Sequence, residues 1–287
     1  MAYLSAEFAV PPDRTESVLV ALTGLGMLGS EEVSRDNGVR FRAYFAGSAD
    51  RRAVAAALDA AGVGGPVSLV TVEERDWNAA WRASIQPVEL APGTWVSPSW
   101  RPPPLAPGQQ WIRIEPRMAF GTGHHESTRL AARGIRAAAG LLGSCRSLLD
   151  VGAGSGVLCF YGALLGFGPC LGVEIDPCCR ESLSANLRDN PVPEGVRLVV
   201  GDVACVRPRV RFGVIAMNMI YPEAAPLLSG LTQRLEKQGG AGLWSGLLTE
   251  GRQEACEAAK RARLTLAQEF AENEWWAGLF SLSGGDA

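Results

Sequence analysis

The sequence predicts an α/β chain in two parts, a doubly wound, mostly parallel sheet preceded by a small α+β domain. Three observations carry this. From Trp111 onward apolar strand-like runs alternate with helical ones, the pattern of a parallel sheet with crossover helices. The bend Asp150-Val-Gly-Ala-Gly-Ser-Gly156 joins one such strand to a helix. Before residue 73 the order is instead β-α-β-β-α-β, the split βαβ, ferredoxin-like pattern.

In the small domain, residues 1–72, strands are expected at Tyr3 to Val10, Glu31 to Arg35, Val39 to Phe45 and Val67 to Val72, with helices at Thr15 to Leu25 and Asp50 to Ala61. Asp36-Asn37-Gly38 supplies the positive φ angles of a hairpin turn. No residue in this domain looks catalytic; its expected role is to dock a substrate. Residues 73–86 read as a connector helix, because Trp77, Trp81 and Ile85 fall on one helical face. Residues 87–287 form the larger domain. Its opening, Pro87 to Pro107, is too rich in proline for a long helix and predicts short extended pieces and turns. Strands follow at Trp111 to Glu115, Ser147 to Val151, Pro169 to Glu174, Arg197 to Val200, Phe212 to Asn218 and Ala241 to Ser245. Leu264 to Phe270 and Trp275 to Leu282, parted by Asn273, predict a closing antiparallel hairpin.

Composition narrows the function classes. A formal net charge of −3 over 287 residues gives no global basic field, so binding nucleic acid would need a local patch and none is expected. Seven cysteines without a C-x-x-C pair suit neither a disulfide framework nor a zinc knuckle, and the cytoplasm is the expected compartment. No export signal or membrane span is read, and a monomer is expected. His124 and His125 are adjacent, without metal-ligand spacing, so no metal is expected.

The chemistry concentrates in five places. Gly152 and Gly154 lack a Cβ where a ligand must touch backbone. Glu174, one apolar run later in Gly172-Val-Glu-Ile-Asp176, stands where a doubly wound sheet offers a carboxylate to ribose hydroxyls. The third glycine arrives at position 156, one place early for a dinucleotide fingerprint, which favours S-adenosylmethionine over NAD. Asp202 follows another strand and is placed to meet an adenine amino group or to cap a turn. Asn218 ends an apolar strand in the ligand crevice, where its carbonyl oxygen can orient an attacking amine. The segment Met118 to Thr128 precedes a helix starting near Thr128, whose N–H groups and Ser or Thr caps suit an anionic group such as a methionine carboxylate. His124 or His125 is a candidate base from its place in that loop. Asn218-Met-Ile-Tyr221 echoes the Asn-Pro-Pro-Tyr signature of amino-group methyltransferases without its prolines.

These motifs together resemble one family. Glu115-Pro-Arg-Met-Ala-Phe-Gly-Thr-Gly-His-His-Glu-Ser-Thr-Arg-Leu130, the bend from Leu148 to Leu158, Gly172 to Pro177, the Asn218 strand end, Trp244-Ser-Gly-Leu-Leu248 and Asn273-Glu-Trp275 are similar to the PrmA family, which methylates ribosomal protein L-eleven. The resemblance runs over nearly the whole chain. It implies a class I methyltransferase fold, S-adenosylmethionine as cofactor, contacts to it from Thr128, Gly152, Glu174 and Asn218, and an N-terminal module that grips the ribosomal protein. The chain departs from the family at Arg117, at Glu174 in place of aspartate, and in the run after Asn218. A nucleic-acid amino methyltransferase and a non-catalytic cofactor-binding relative are the other readings.

Overall fold

The computed structural model describes residues 2–10, 14–34, 39–63, 67–73, 85–116, 120–142, 146–190 and 195–283. The chain divides into two compact units, Met1–Ser84 and Ile85–Ala287. The expected turn at 36–38, the tryptophans of the expected connector and Arg117 lie outside the described residues.

In the first unit β1 (Ala2–Val10), α1 (Thr15–Gly24), β2 (Met27–Ser34), β3 (Val39–Ala46), α2 (Arg51–Ala60) and β4 (Ser68–Glu73) follow in order. The sheet runs β2-β3-β1-β4, every pair antiparallel. Period-two alternation explains its core: Leu4, Ala6 and Phe8 of β1 oppose Phe45, Ala43 and Phe41 of β3, all buried. Val18, Leu22, Val54 and Leu58 of the two helices close over them. The alternate positions form a polar face, where Arg42 bridges Glu7 and Glu31 at 3.0 Å each and the Tyr44 hydroxyl donates to Glu31 at 2.7 Å.

The second unit is built on seven strands, β8 (Leu148–Val151), β9 (Cys170–Glu174), β10 (Val196–Val200), β11 (Val214–Asn218), β12 (Ala241–Leu248), β13 (Leu264–Glu272) and β14 (Trp275–Leu282), in the order β10-β9-β8-β11-β12-β14-β13. The first five are parallel; β14 and β13 close one edge antiparallel. Its main helices are α3 (Glu126–Leu142), α4 (Val157–Leu164), α5 (Arg180–Asp189), α6 (Tyr221–Ala224), α7 (Leu228–Thr232) and α8 (Arg252–Arg261). Two apolar clusters show that both faces are covered. Ala131, Ile135 and Phe160 pack with Leu148 and Val214 on one, while Leu228, Leu231 and Ala259 pack with Leu149, Ile215 and Met217 on the other. The fold is α/β with a mostly parallel sheet, as the alternation predicts.

One strand sits elsewhere. The run expected at Trp111 to Glu115 is β7 (Gln110–Arg113), which joins not the large sheet but a separate three-stranded one, pairing with β6 (Thr94–Ser97), itself paired with β5 (Val88–Ala91). Side-chain amides account for it: the N–H groups of Arg113 and Glu115 donate to Asn190 and Asn186 at 2.8 and 3.1 Å, occupying donors a ladder would use. No helix among the described residues is long and apolar enough to cross a membrane.

Candidate active site

Strand order reverses beside β8, since β9 and β10 extend the sheet one way and β11 and β12 the other. A crevice opens at such a switch point, at the carboxyl ends of the strands. There lies a cavity of about 700 Å³. Gly152 and Gly154 follow β8, Glu174 ends β9, Asp202 follows β10 and Asn218 ends β11, and all five line it.

The glycine bend is fixed from two sides. Gly152 and Ala153 donate to the Val173 carbonyl at 2.9 and 3.1 Å, tying the bend to β9. Ser155 donates its N–H to the Phe120 carbonyl at 2.8 Å and its hydroxyl to Gly121 at 2.7 Å. Gly154 adopts φ +52°, and a Cβ there would lie 2.5 Å from the Phe120 carbonyl oxygen. Its N–H instead donates to Glu174 Oε2 at 2.8 Å, while Oε1 accepts from Asp176 at 2.9 Å. The carboxylate is thus aimed by backbone and 8% exposed. Each carboxylate oxygen keeps a second lone pair for a ligand hydroxyl.

Asp202 plays the turn-capping role, accepting from Ala204 N at 2.6 Å, and also faces the cavity. Asn218 donates Nδ2 to Thr128 Oγ1 at 3.3 Å, while its Oδ1 is shielded from solvent and accepts no hydrogen bond. A buried acceptor left open costs roughly 1–3 kcal/mol, so it marks a place for a donor. Thr128 does not line the cavity and stands behind Asn218.

The helix start differs from expectation. α3 begins at Glu126, and Ser127 and Thr128 are buried in its first turn rather than capping it. Their N–H groups are taken by His125, Ser127 by its Nδ1 at 3.2 Å and Thr128 by its carbonyl at 3.1 Å. These two donors are therefore occupied within the chain. The same geometry constrains both histidines as bases. Nδ1 of His125 accepts the Ser127 N–H, which leaves the proton of a neutral ring on Nε2. Nε2 of His124 must donate to the Gln86 carbonyl at 2.8 Å, leaving Nδ1 against the Thr122 hydroxyl. Neither ring lines the cavity.

Charge is the cavity's second character. Asp176 and Glu223 line it besides Glu174 and Asp202, and among the described residues no Lys, Arg or His does. Four carboxylates without a basic partner form a seat for a cation. Asp176 lies inside a recognised motif, but Glu223 gave no sequence signal beyond an acid in the first turn after a strand-ending amide. Phe120 and Ile220, both more than half exposed, add apolar wall at the mouth.

Beneath the bend Asp150 is 1% exposed, with Oδ1 unpartnered and only the Cys159 thiol near Oδ2 at 3.9 Å. Burial, and then the Glu174 charge, push its carboxyl up to about 7. Because the folded value lies above the unfolded one of about 4, its stability contribution is complete below pH ~4 and is lost as pH rises through about 7. Asp150→Asn is expected to flatten that decline, by up to ~1.4 kcal/mol per pH unit, in urea denaturation repeated across this range; an unaltered slope would assign the proton uptake elsewhere.

The comparisons with known proteins agree with this geometry. The family described as ribosomal protein L11 methyltransferase (PrmA) matches residues 22–281. The chain is 35% identical over 213 residues to the ribosomal protein L11 methyltransferase of Deinococcus radiodurans, covering 73% of this chain and 76% of that protein. It is 36% identical over 210 residues to that of Thermus thermophilus, covering 71% and 76% respectively. The crystal structure of the ribosomal protein L11 methylase from Lactobacillus delbrueckii subsp. bulgaricus superposes with a TM-score of 0.62 at 22% identity, over 69% of this chain and 100% of that one.

Proposed function

Because the chain belongs to the ribosomal protein L11 methyltransferase family, we propose that it transfers methyl groups from S-adenosylmethionine to amino groups of ribosomal protein L11, on lysine side chains or the N-terminal amine. The observation that carries this reading is the open acceptor Asn218 Oδ1 in the wall of a cavity that, among the described residues, is lined by four carboxylates and no basic side chain.

The residues present fit that cofactor. A dinucleotide would bring a pyrophosphate against Glu174, Asp176, Asp202 and Glu223 with no basic side chain among the described lining residues to neutralise it, whereas a ligand bearing a sulfonium and an ammonium is attracted there. When bound, S-adenosylmethionine supplies a methyl group activated by its positively charged sulfur. Gly152 and Gly154 admit it to the backbone, Glu174 accepts its ribose hydroxyls and Asp202 its adenine amino group. Removing the ribose partner by Glu174→Ala is expected to weaken cofactor binding by roughly 1–3 kcal/mol, or 5- to 150-fold, in a calorimetric titration; an unchanged affinity would move the ribose elsewhere.

Asn218 Oδ1 accepts an N–H of the incoming amine and so turns its lone pair toward the methyl group. Thr128 holds the amide that does this, as a positioning residue. A lysine with an ordinary value of about 10.4 arrives protonated, so the site must release a proton before attack. Glu223, exposed at the cavity edge, is the carboxylate placed to hand it to solvent. Phe120 and Ile220 exclude water from the reacting amine.

The small N-terminal unit docks the ribosomal protein, through the polar sheet face carrying Glu7, Glu31, Arg42 and Tyr44. The reading has the enzyme act as a monomer in the cytoplasm, where its ribosomal substrate is met. Incubation with ribosomal proteins, ribosomal RNA and methyl-labelled cofactor tests the whole reading. Label on amino groups of L11, located by mass spectrometry, is expected. Label in RNA would point to the nucleic-acid enzyme, and cofactor binding without transfer to a non-catalytic relative.

A further inference from the structure

Beside the acidic cavity lies a second recess of opposite sign. It has a volume of about 340 Å³ and shares Val203 and Leu227 with the cavity. Its floor is apolar, from Pro208, Pro226 and Leu231, and its charged lining is Arg211 and Arg234. Arg207 and Arg209 stand on the same short turn as Arg211, closed by Val210 N donating to the Arg207 carbonyl at 3.0 Å.

These guanidinium groups are not neutralised. Arg211 donates Nη1 to the Pro208 carbonyl at 2.7 Å and Arg234 donates Nη1 to the Arg207 carbonyl at 3.1 Å, and none of the four forms an ion pair among the described residues. Backbone carbonyls fix the orientation of both side chains while leaving the charge and most N–H donors of each planar fork free. Four unpaired arginines on one turn and its neighbour stand out in a chain whose net charge is −3. Repeated positive charge suits repeated negative charge, and an apolar lining beside guanidinium groups suits an unpaired base.

We infer that this recess, lined by Arg211 and Arg234 with Pro208 and Pro226 and flanked in the chain by Arg207 and Arg209, binds single-stranded nucleic acid by its phosphates as an anchor beside the methyl-transfer site.

Fluorescence anisotropy of the full chain with a short mixed-sequence RNA, titrated at several salt concentrations, tests this. Binding is expected to weaken with salt, and Arg211→Ala with Arg234→Ala to lower the slope of log K against log salt by about 1.4, near 0.7 for each lost phosphate contact. Arg207→Gln with Arg209→Gln, at exposed positions without side-chain hydrogen bonds, repeats the test without disturbing the recess and should also reduce the slope. Unchanged cofactor affinity in all variants confirms an intact site. RNA binding that is absent at low salt, or equally strong in both double variants, overturns the inference. Equal binding of poly-glutamate overturns it too, by showing a site for acidic peptide.

Discussion

Gly154→Ala is expected to lower the melting temperature by about 10 °C and to weaken S-adenosylmethionine binding by more than about tenfold. The added Cβ would sit 2.5 Å from the Phe120 carbonyl oxygen and 3.2 Å from its carbon, backbone atoms that no side-chain rotation moves aside. That carbonyl also receives the Ser155 N–H at 2.8 Å, so its retreat breaks a bond that pins the bend. Left-handed backbone costs alanine roughly 1–2 kcal/mol and forced overpacking another 1–3. Together they amount to several kcal/mol, with about 2–4 °C per kcal/mol for a unit of this size. Affinity falls for a separate reason: Gly154 N–H aims the Glu174 carboxylate, and displacing one displaces the other. Gly140→Ala is the matched control. Its Cβ would meet nothing within 4 Å on α3, and helix propensity alone predicts a gain of about 1 kcal/mol. Differential scanning fluorimetry with and without cofactor reads both; equal behaviour of the two variants would remove the close approach from the account.

Asn218→Ala separates function from stability. Oδ1 is already an open buried acceptor, and Nδ2 gives a single 3.3 Å bond, so truncation removes an unsatisfied group at little cost. The melting temperature is expected to hold or rise slightly. The rate should drop about 100-fold, the usual penalty when a reacting group loses its alignment, with cofactor affinity changed by only a few-fold. Thr128→Val, which removes the partner but keeps the acceptor, should show the same direction to a smaller degree. A rate that stays within about twofold in Asn218→Ala, measured at saturating L11, would remove the amide from the chemistry.

The parts of this site legible in the sequence are those where backbone geometry dictates residue type. A bend at positive φ that must admit a ligand demands glycine, which is why Gly152 and Gly154 could be read directly, and the apolar run that follows placed Glu174 at the end of β9. The alternation of strands and helices gave the order of elements in both units with boundaries shifted by a few residues. What local pattern could not carry was pairing and side-chain rotation. Gln110–Arg113 has the composition of a sheet strand, yet Asn186 and Asn190, far along the chain, decide where its neighbourhood bonds. Ser127 and Thr128 read as caps because both are short and polar, but His125, two residues before Ser127, supplies the acceptors and the two side chains are buried. Glu223 joins the cavity through α6, a four-residue helix whose placement depends on Tyr221 stacking against Trp244 at 5.6 Å, a contact invisible to periodicity. The acidic sign of the cavity emerges only when the end of β9, the loops after β9 and β10, and α6 are brought together.

The account rests on that cavity seating a cationic sulfonium nucleoside between the glycine bend and Glu174. Titration calorimetry of the purified chain with S-adenosylmethionine, and separately with NAD, asks this directly. Binding of the first, weakened in Glu174→Ala, with no heat from the second, is the predicted result. Heat from NAD with none from S-adenosylmethionine would contradict it.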